Sequence, residues 1–191
     1  MDIYKECPTL ENGNYKIRLI EVNDSDDLLC IYSDKQALPF FNSDNCNGSN
    51  FYCPKKEDMD NTIKYWLMEY RETRGFVRFS IVDKKKGKVI GTIEMFKRKS
   101  QDYYNQCGVL RLDIRSDYEK SDFIVAILSL CIDSFYDWFE CSAIITKAAL
   151  YAVERIEALQ ELNFVRSEDP LIGHNQKLSY NDYWIRRKAF E

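Results

Sequence analysis

The residues that most often carry enzyme chemistry are few in this sequence and lie far apart. The single histidine, His174, stands in a polar stretch (GHNQ), which indicates a surface loop residue rather than a catalytic base. There is no G-x-S-x-G nucleophile sequence and no G-x-x-x-x-G-K-[ST] phosphate loop. Cys46 and Cys53 are spaced too widely for a zinc knuckle and have no second pair to complete one. We therefore expect no metal site and no hydrolase or P-loop chemistry.

A run of basic residues from Lys84 to Lys88 (KKKGK) has two interpretations. It could bind a phosphate group, or it could form the solvated turn of a β-hairpin that is closed by Gly87. Hairpin turns favour such residues, and strand-like segments flank the run on both sides. We therefore interpret it as a turn.

Composition narrows the class of protein. The chain of 191 residues is 45% hydrophobic and 14% aromatic, which predicts one folded domain over residues 1–191. A net charge of −4 disfavours binding to nucleic acid or to an anionic membrane. No apolar stretch is long enough to span a bilayer, and MDIYKECPTL lacks the pattern of a secretory signal. The seven cysteines are scattered and odd in number, so we expect a reduced, cytoplasmic protein.

The apolar pattern predicts an alternating order of strands and helices, β-α-α-β-β-β-α-β-α-β-β. The strands are expected at 15–22, 76–83, 89–97, 109–115, 143–147, 164–166 and 178–187. The helices are expected around 25–32 and at 57–74, 121–139 and 153–162, with a long irregular loop at 34–56. Three consecutive strands favour antiparallel pairing, whereas the later β-α-β unit favours a parallel crossover. A mixed sheet with helices on both faces follows.

Four stretches, taken in this order, resemble the GCN5-related N-acetyltransferases (GNAT), especially the branch of ribosomal-protein and spermidine acetyltransferases. They are YKIRLIEVNDSDDL, VDKKKGKVIGTIEMF, LRLDIRSDYEKSDF and ERIEALQELNFVRSED. The last is similar to the family's helix that ends in Leu-Gly-Phe, with Asn163 in place of the glycine before Phe164. The resemblance covers about residues 15–187. It implies an α/β fold with a mixed, mostly antiparallel sheet and one splayed pair of strands.

The resemblance also implies a place for acetyl-CoA. In this family the strand before the central helix splays from its neighbour, and its backbone groups pair with the pantetheine arm. The pyrophosphate then rests on N–H groups at the start of the next helix. By position, Asp113 and Ile114 would meet the pantetheine. The pyrophosphate loop would comprise Glu119, Lys120, Ser121, Asp122, Phe123 and Ile124.

That loop departs from the family pattern Gln/Arg-x-x-Gly-x-Gly/Ala, because Glu119, Asp122 and Ile124 occupy its three fixed positions. A carboxylate about 6 Å from a phosphate costs roughly 2–3 kcal/mol at an effective dielectric near 20, while the helix dipole returns about 0.3–1 kcal/mol. We expect the affinity for the cofactor to fall by about one or two orders of magnitude. In the alternative interpretation, Ser121 or Asp122 only caps the central helix.

A second departure lies in the penultimate helix, where the family often has Asn-x-x-Ser and this chain has Ala152 and Arg155. Acetyl transfer needs a base for the amine and sometimes an acid for the leaving thiolate. The resemblance makes Glu94 and Asp113 the candidate bases and Tyr183 a candidate acid. An outward-facing strand residue for Glu94, and ring packing for Tyr183, remain the alternatives.

Two functions are therefore open. The first is an acetyl-CoA-dependent N-acetyltransferase that acts on a primary amine of a small molecule or of a protein N-terminus, and the sequence favours it narrowly. The second is a non-catalytic relative that retains the fold as a binding or dimerisation module. Acidic residues in two loops, Asp34, Asp44, Glu168 and Asp169, would suit a cationic amine. Whether the chain forms a homodimer stays open.

Overall fold

Ten strands and four α-helices follow one another in this computed structural model, which describes residues 1–175 and 177–189. The strands are β1 (Leu10–Glu11), β2 (Tyr15–Leu19), β3 (Val77–Asp83), β4 (Lys88–Lys97), β5 (Gly108–Ile114), β6 (Ala143–Lys147), β7 (Val165–Arg166), β8 (Leu171–Ile172), β9 (Ser179–Tyr180) and β10 (Tyr183–Arg187). The helices are α1 (Ser25–Tyr32), α2 (Lys56–Met68), α3 (Ser121–Trp138) and α4 (Val153–Glu161). None of these helices is long and apolar enough to cross a bilayer.

Eight strands form one sheet in the order β1-β2-β3-β4-β5-β6-β10-β7, and β8 pairs with β9 apart from it. Each pair in the large sheet is antiparallel except β5 and β6, which are joined through α3 and run parallel. The predicted mixed, mostly antiparallel α/β sheet is therefore confirmed. Two boundaries were wrong: the first long strand stops at Leu19, and the last predicted strand is split into β9 and β10.

The two faces of the sheet carry different residues because side chains alternate along each strand. Phe79, Ile93 and Leu110 lie on one face and pack against α3 and α4 in the main apolar core. The opposite face, under α1 and α2, carries a smaller apolar cluster and a set of buried charged residues. The predicted arrangement of helices on both faces is confirmed.

The strands β5 and β6 separate after a short stretch of pairing. Only Gly108, Val109 and Leu110 pair with β6, whereas β5 stays paired to β4 along its whole length up to Ile114. The remaining residues of β5 thus have a free edge that faces the start of α3. This is the splayed pair that the resemblance implies.

The end of α4 explains why asparagine replaces the expected glycine. Asn163 has φ of 61°, a left-handed conformation that asparagine tolerates better than most residues, and the Phe164 N–H then donates to the Leu159 carbonyl at 2.9 Å. Asn163→Ala is expected to lower the free energy of unfolding by about 1 kcal/mol, and Asn163→Gly to change it by less than about 0.5 kcal/mol. Urea denaturation of the two variants checks this; equal losses would contradict it.

The long loop at 34–56 is irregular as predicted, but its first half is fixed on the sheet. A 3-10 turn spans Leu38–Phe40, and Phe41, Asn42 and Asp44 are buried. The second half contains left-handed residues, among them Asn47 and Phe51. This loop reaches the splay between β5 and β6, where the resemblance places the cofactor.

Candidate functional site

The N-terminus of α3, where the resemblance places the pyrophosphate, is occupied by carboxylates of the chain itself. Glu154 on α4 accepts a hydrogen bond from the Ser121 N–H at 2.8 Å and pairs with the Lys120 ammonium at 3.0 Å. Asp122 accepts from the Phe123 N–H at 2.8 Å. The bond from Ser121, together with Lys120, holds the pKa of Glu154 below its ordinary value. An anion is thus already bound where helix N–H groups would receive a phosphate.

The capping alternative for this loop is corrected in one respect. Neither Ser121 nor Asp122 occupies the N-cap, since α3 begins at Ser121 and its N-cap residue is Lys120, which makes no side-chain cap. Glu154 supplies the missing acceptor from another helix. The sequence interval of 33 residues explains why local pattern alone did not indicate this cap.

Arg155 fills the splay between β5 and β6. Its guanidinium donates to the Leu112 carbonyl on the free edge of β5 at 3.0 Å and to the Phe40 carbonyl at 2.9 Å. It also forms a two-bond ion pair with Glu119, with distances of 2.7 and 2.8 Å. Arg155 is 3% exposed and Glu119 is 7% exposed. A backbone group on the splayed strand is therefore already bonded to a buried side chain.

The loop that precedes α2 crosses the same splay from the opposite face. Arg111 on β5 donates to the Asp44 carbonyl at 2.7 Å, and the Asp44 carboxylate binds Lys147 on β6 at 2.8 Å. Tyr183 on β10 donates to Asp44 at 3.1 Å. Asp44 thus ties three strands together and is not free to bind a cationic amine. Asp34 is likewise engaged, accepting from a backbone N–H at Ser116.

The two candidate bases, Glu94 and Asp113, meet in one buried ion network around Arg78. Arg78 is fully buried beneath α2, with its guanidinium 4.1 Å from the centre of the Trp66 ring. It donates to Glu94 and, at 3.0 Å, to Asp113. Arg111 donates to the other oxygen of Glu94 at 2.8 Å. Glu94 is therefore not an outward-facing residue, because α2 covers this face of the sheet.

These contacts shift the two carboxyl groups in opposite directions. Burial opposes ionisation of Glu94, but Arg78 and Arg111 together hold its pKa below the ordinary value. Burial raises the pKa of Asp113, and Arg78 offsets only part of that effect. Burial also raises the pKa of Tyr183, whose hydroxyl is bonded to Asp44. The three predicted catalytic residues thus lie in the sheet interior, but they do not converge on one open position.

The residues in this groove do not fit acetyl-CoA in the arrangement that the resemblance implies. Glu154 occupies the position expected for the pyrophosphate, and Arg155 occupies the splay. Glu119 is paired with Arg155. Asp113 is 0% exposed, and Ile114 is buried beside it. No reaction step through the cofactor follows from this geometry.

Comparison with solved structures agrees with the topology. A ribosomal-protein-S5-alanine acetyltransferase from Vibrio fischeri is 17% identical over 93% of this chain and 94% of its own, with a TM-score of 0.67. RimJ from Mycobacterium smegmatis, in complex with CoA-disulfide, is 12% identical over 93% and 85%, also with a TM-score of 0.67. RimL, a ribosomal L7/L12 alpha-N-protein acetyltransferase in complex with coenzyme A, is 8% identical over 94% and 98%, with a TM-score of 0.67.

This chain has the GNAT fold. No protein-family profile and no curated protein sequence matches it. The solved structures named above are acetyltransferases, and two of them hold a form of coenzyme A. At these low identities the similarity shows the fold, and the site of this chain must be judged from its own residues.

Apart from the groove between β5 and β6, this chain has a cavity of about 940 Å³ on the α2 side of the sheet. It lies between α2, the loop at 45–53 and the end of β4. Glu94 and Arg111 are among its lining residues, so the buried ion network reaches the cavity. Its size is within the range of about 300–1,000 Å³ that is typical of small-molecule sites.

Sequence reasoning missed Arg155, Glu154, Arg78 and Arg111. A signal existed for the first of these, because Glu119 and Arg155 are both departures from the family pattern and carry opposite charges. Two such changes can compensate for each other, because the carboxylate of one residue can pair with the guanidinium of the other. For Arg78 the sequence offers no comparable signal, since a strand arginine ordinarily indicates a solvent-facing position.

Proposed function

We propose that this chain is a non-catalytic GNAT-fold module, which binds a ligand in the cavity beside α2 and does not transfer an acetyl group from acetyl-CoA. The observation that carries this proposal is the position of Arg155. Its guanidinium is bonded to the splayed strand and to Glu119, and both side chains are buried. A pantetheine arm would have to displace it.

The cost of that displacement decides between the two functions. Removing one partner of a buried, hydrogen-bonded ion pair costs about 3–5 kcal/mol, which is roughly two to four orders of magnitude in affinity. The phosphate would also have to replace Glu154 at the start of α3. The cavity requires no such change, since it is open and its lining groups are already in place.

The second candidate is an acetyl-CoA-dependent N-acetyltransferase that acts on a primary amine of a small molecule or of a protein N-terminus. One observation favours it: β5 and β6 retain the splay that this fold uses for its cofactor. In that case Glu154 and Arg155 would have to turn outward before the cofactor entered, and Glu94 would have to leave at least one of its two arginines.

Calorimetric titration separates the candidates. Purified protein is titrated with acetyl-CoA and, separately, with CoA up to millimolar concentration, and RimJ from Mycobacterium smegmatis serves as the positive control. We expect no saturable heat from this chain. The variant Glu154→Gln, which removes the carboxylate charge at α3, is expected to remain without binding because Arg155 still fills the splay. A micromolar dissociation constant for the unchanged chain, equal to that of Lys99→Glu in the cavity beside α2, would reverse the proposal.

A further inference from the structure

One wall of the cavity is aromatic. Phe51 comes from the loop at 45–53, Tyr65 and Trp66 from α2, and Phe96 from β4. Aromatic side chains arranged around a cavity provide flat apolar surfaces, which favour ring stacking with a planar ligand. The wall thus indicates a ligand with an aromatic part.

Part of the buried ion network forms the floor of the cavity. Glu94 is shared by Arg78 and Arg111, and only Glu94 and Arg111 of these three line the cavity. Within the described residues, the Nε of Arg111 is buried and has no hydrogen-bond partner. Its other nitrogens are engaged with Glu94 and the Asp44 carbonyl. An unpaired buried donor is unfavourable, so Arg111 carries an unsatisfied polar atom beside the cavity.

The lining of the cavity as a whole carries more positive than negative charge. Five cationic and three carboxylate side chains line the cavity, in a chain whose net charge is −4. Arg98 is paired with Asp102, but Lys99 is exposed and makes no hydrogen bond or ion pair with any other described residue. Lys99 is therefore a lining cation that no described residue neutralises, and Arg111 is a lining cation with one unpaired nitrogen.

We propose that this cavity binds a small aromatic anion, whose ring packs against Trp66 and Phe51 and whose carboxylate or phosphate group lies near Arg111 and Lys99. The inference rests on the proposed function, since it names the class of ligand for the same cavity. An amine acceptor of acetyl transfer carries the opposite charge and would meet the cationic lining unfavourably.

Three probes that share one ring test the charge of the ligand. The full chain is titrated at low ionic strength with 2-naphthoate, with the neutral 2-naphthalenemethanol and with the cationic 2-naphthylmethylammonium, followed by tryptophan fluorescence and calorimetry. We expect saturable binding of 2-naphthoate, with a dissociation constant at least about tenfold lower than that of the alcohol or the ammonium compound. Added salt should weaken the binding of 2-naphthoate most.

A matched pair of charge reversals locates the site. Lys99→Glu is expected to raise the dissociation constant of 2-naphthoate by about three- to tenfold and to leave that of the alcohol unchanged. Lys85→Glu makes the same charge change at the tip of the β3–β4 hairpin and is expected to have no effect. Equal affinities for the three probes, no binding of 2-naphthoate at millimolar concentration, or equal effects of the two reversals would each overturn the inference.

The naphthoate titrations test the class of ligand, and the CoA titrations test the proposed function, so failure of one can be distinguished from failure of the other. Failure of 2-naphthoate to bind, with CoA also failing to bind, removes the ligand class but leaves the non-catalytic proposal intact. Micromolar binding of CoA that Lys99→Glu does not change removes the non-catalytic proposal, and the naphthoate titrations still decide the charge preference of the cavity.

Discussion

Replacement of Arg155 by methionine is expected to lower the free energy of unfolding by about 3–5 kcal/mol, because it leaves the buried Glu119 carboxylate without its cation. The Leu112 and Phe40 carbonyls also lose a donor. For a chain of this length that loss corresponds to a fall in Tm of about 6–20 °C. Urea denaturation at pH 7, followed by circular dichroism, measures the change.

Two further variants give this prediction its controls. The double variant Glu119→Leu/Arg155→Met is expected to recover much of the loss, since apolar residues often replace a buried ion pair at little cost. Arg166→Met removes an arginine from a partly exposed pair with Asp182 and is expected to cost less than about 1 kcal/mol. A loss below about 1 kcal/mol in Arg155→Met would mean that the arginine is not held in the splay.

The single and double variants also test whether the groove between β5 and β6 is part of the folded core. Arg155 pairs with Glu119 and donates to the Leu112 carbonyl on β5 and to the Phe40 carbonyl in the loop at 34–56. We infer that the groove is part of the folded core, so its residues respond to substitution as core residues do.

Most of the fold could be predicted from the sequence, and the reason is periodicity. The strand at 143–147 and the start of the helix at 121 were predicted at the residues where the structure has them. The hairpin turn with Gly87 at φ of 63° was also predicted correctly. In each case the spacing of apolar residues and the turn residues are local properties of the chain.

The candidate site could not be predicted to the same extent, because its decisive contacts join distant residues. Arg155 and Glu119 are 36 positions apart, and Arg78 and Asp113 are 35 positions apart. The sequence left open whether Glu94 is an outward-facing strand residue, because a local pattern does not show whether a helix covers that face of the sheet. The cover is α2, whose Trp66 lies over Arg78.

Glu94→Gln is expected to cost about 2–4 kcal/mol at pH 7, whereas Asp113→Asn is expected to change the free energy of unfolding by less than about 1 kcal/mol. Both carboxylates are buried and bind Arg78. Glu94, however, also neutralises Arg111, so its loss leaves two guanidinium groups with one remaining carboxylate. Asp113 has one arginine, and its Oδ1 has no partner among the described residues. Asparagine keeps the shape and can still accept from Tyr32 and Arg78.

The dependence on pH follows from the opposite shifts of the two groups. The folded pKa of Glu94 lies below its ordinary value of 4.5, so its stabilisation is present above pH 4.5 and is lost as the pH falls through the folded pKa. The folded pKa of Asp113 lies above its ordinary value of 3.8. The folded protein therefore takes up this proton more readily than the unfolded chain, and the charged carboxylate is destabilising above the folded pKa.

Unfolding in urea at pH 7 and pH 5, for the unchanged chain and both variants, measures these differences. The deficit of Glu94→Gln relative to the unchanged chain is expected to be the same at both pH values, because Glu94 remains ionised throughout. Acidification protonates part of the Asp113 carboxylate in the unchanged chain and so reduces its destabilising effect. Asp113→Asn has no such group, so the free energy of unfolding of the unchanged chain should rise relative to that of this variant. Equal losses in the two variants at pH 7 would mean that Arg78 serves both carboxylates alike, and the two strands would then contribute equally to holding the arginine beneath α2.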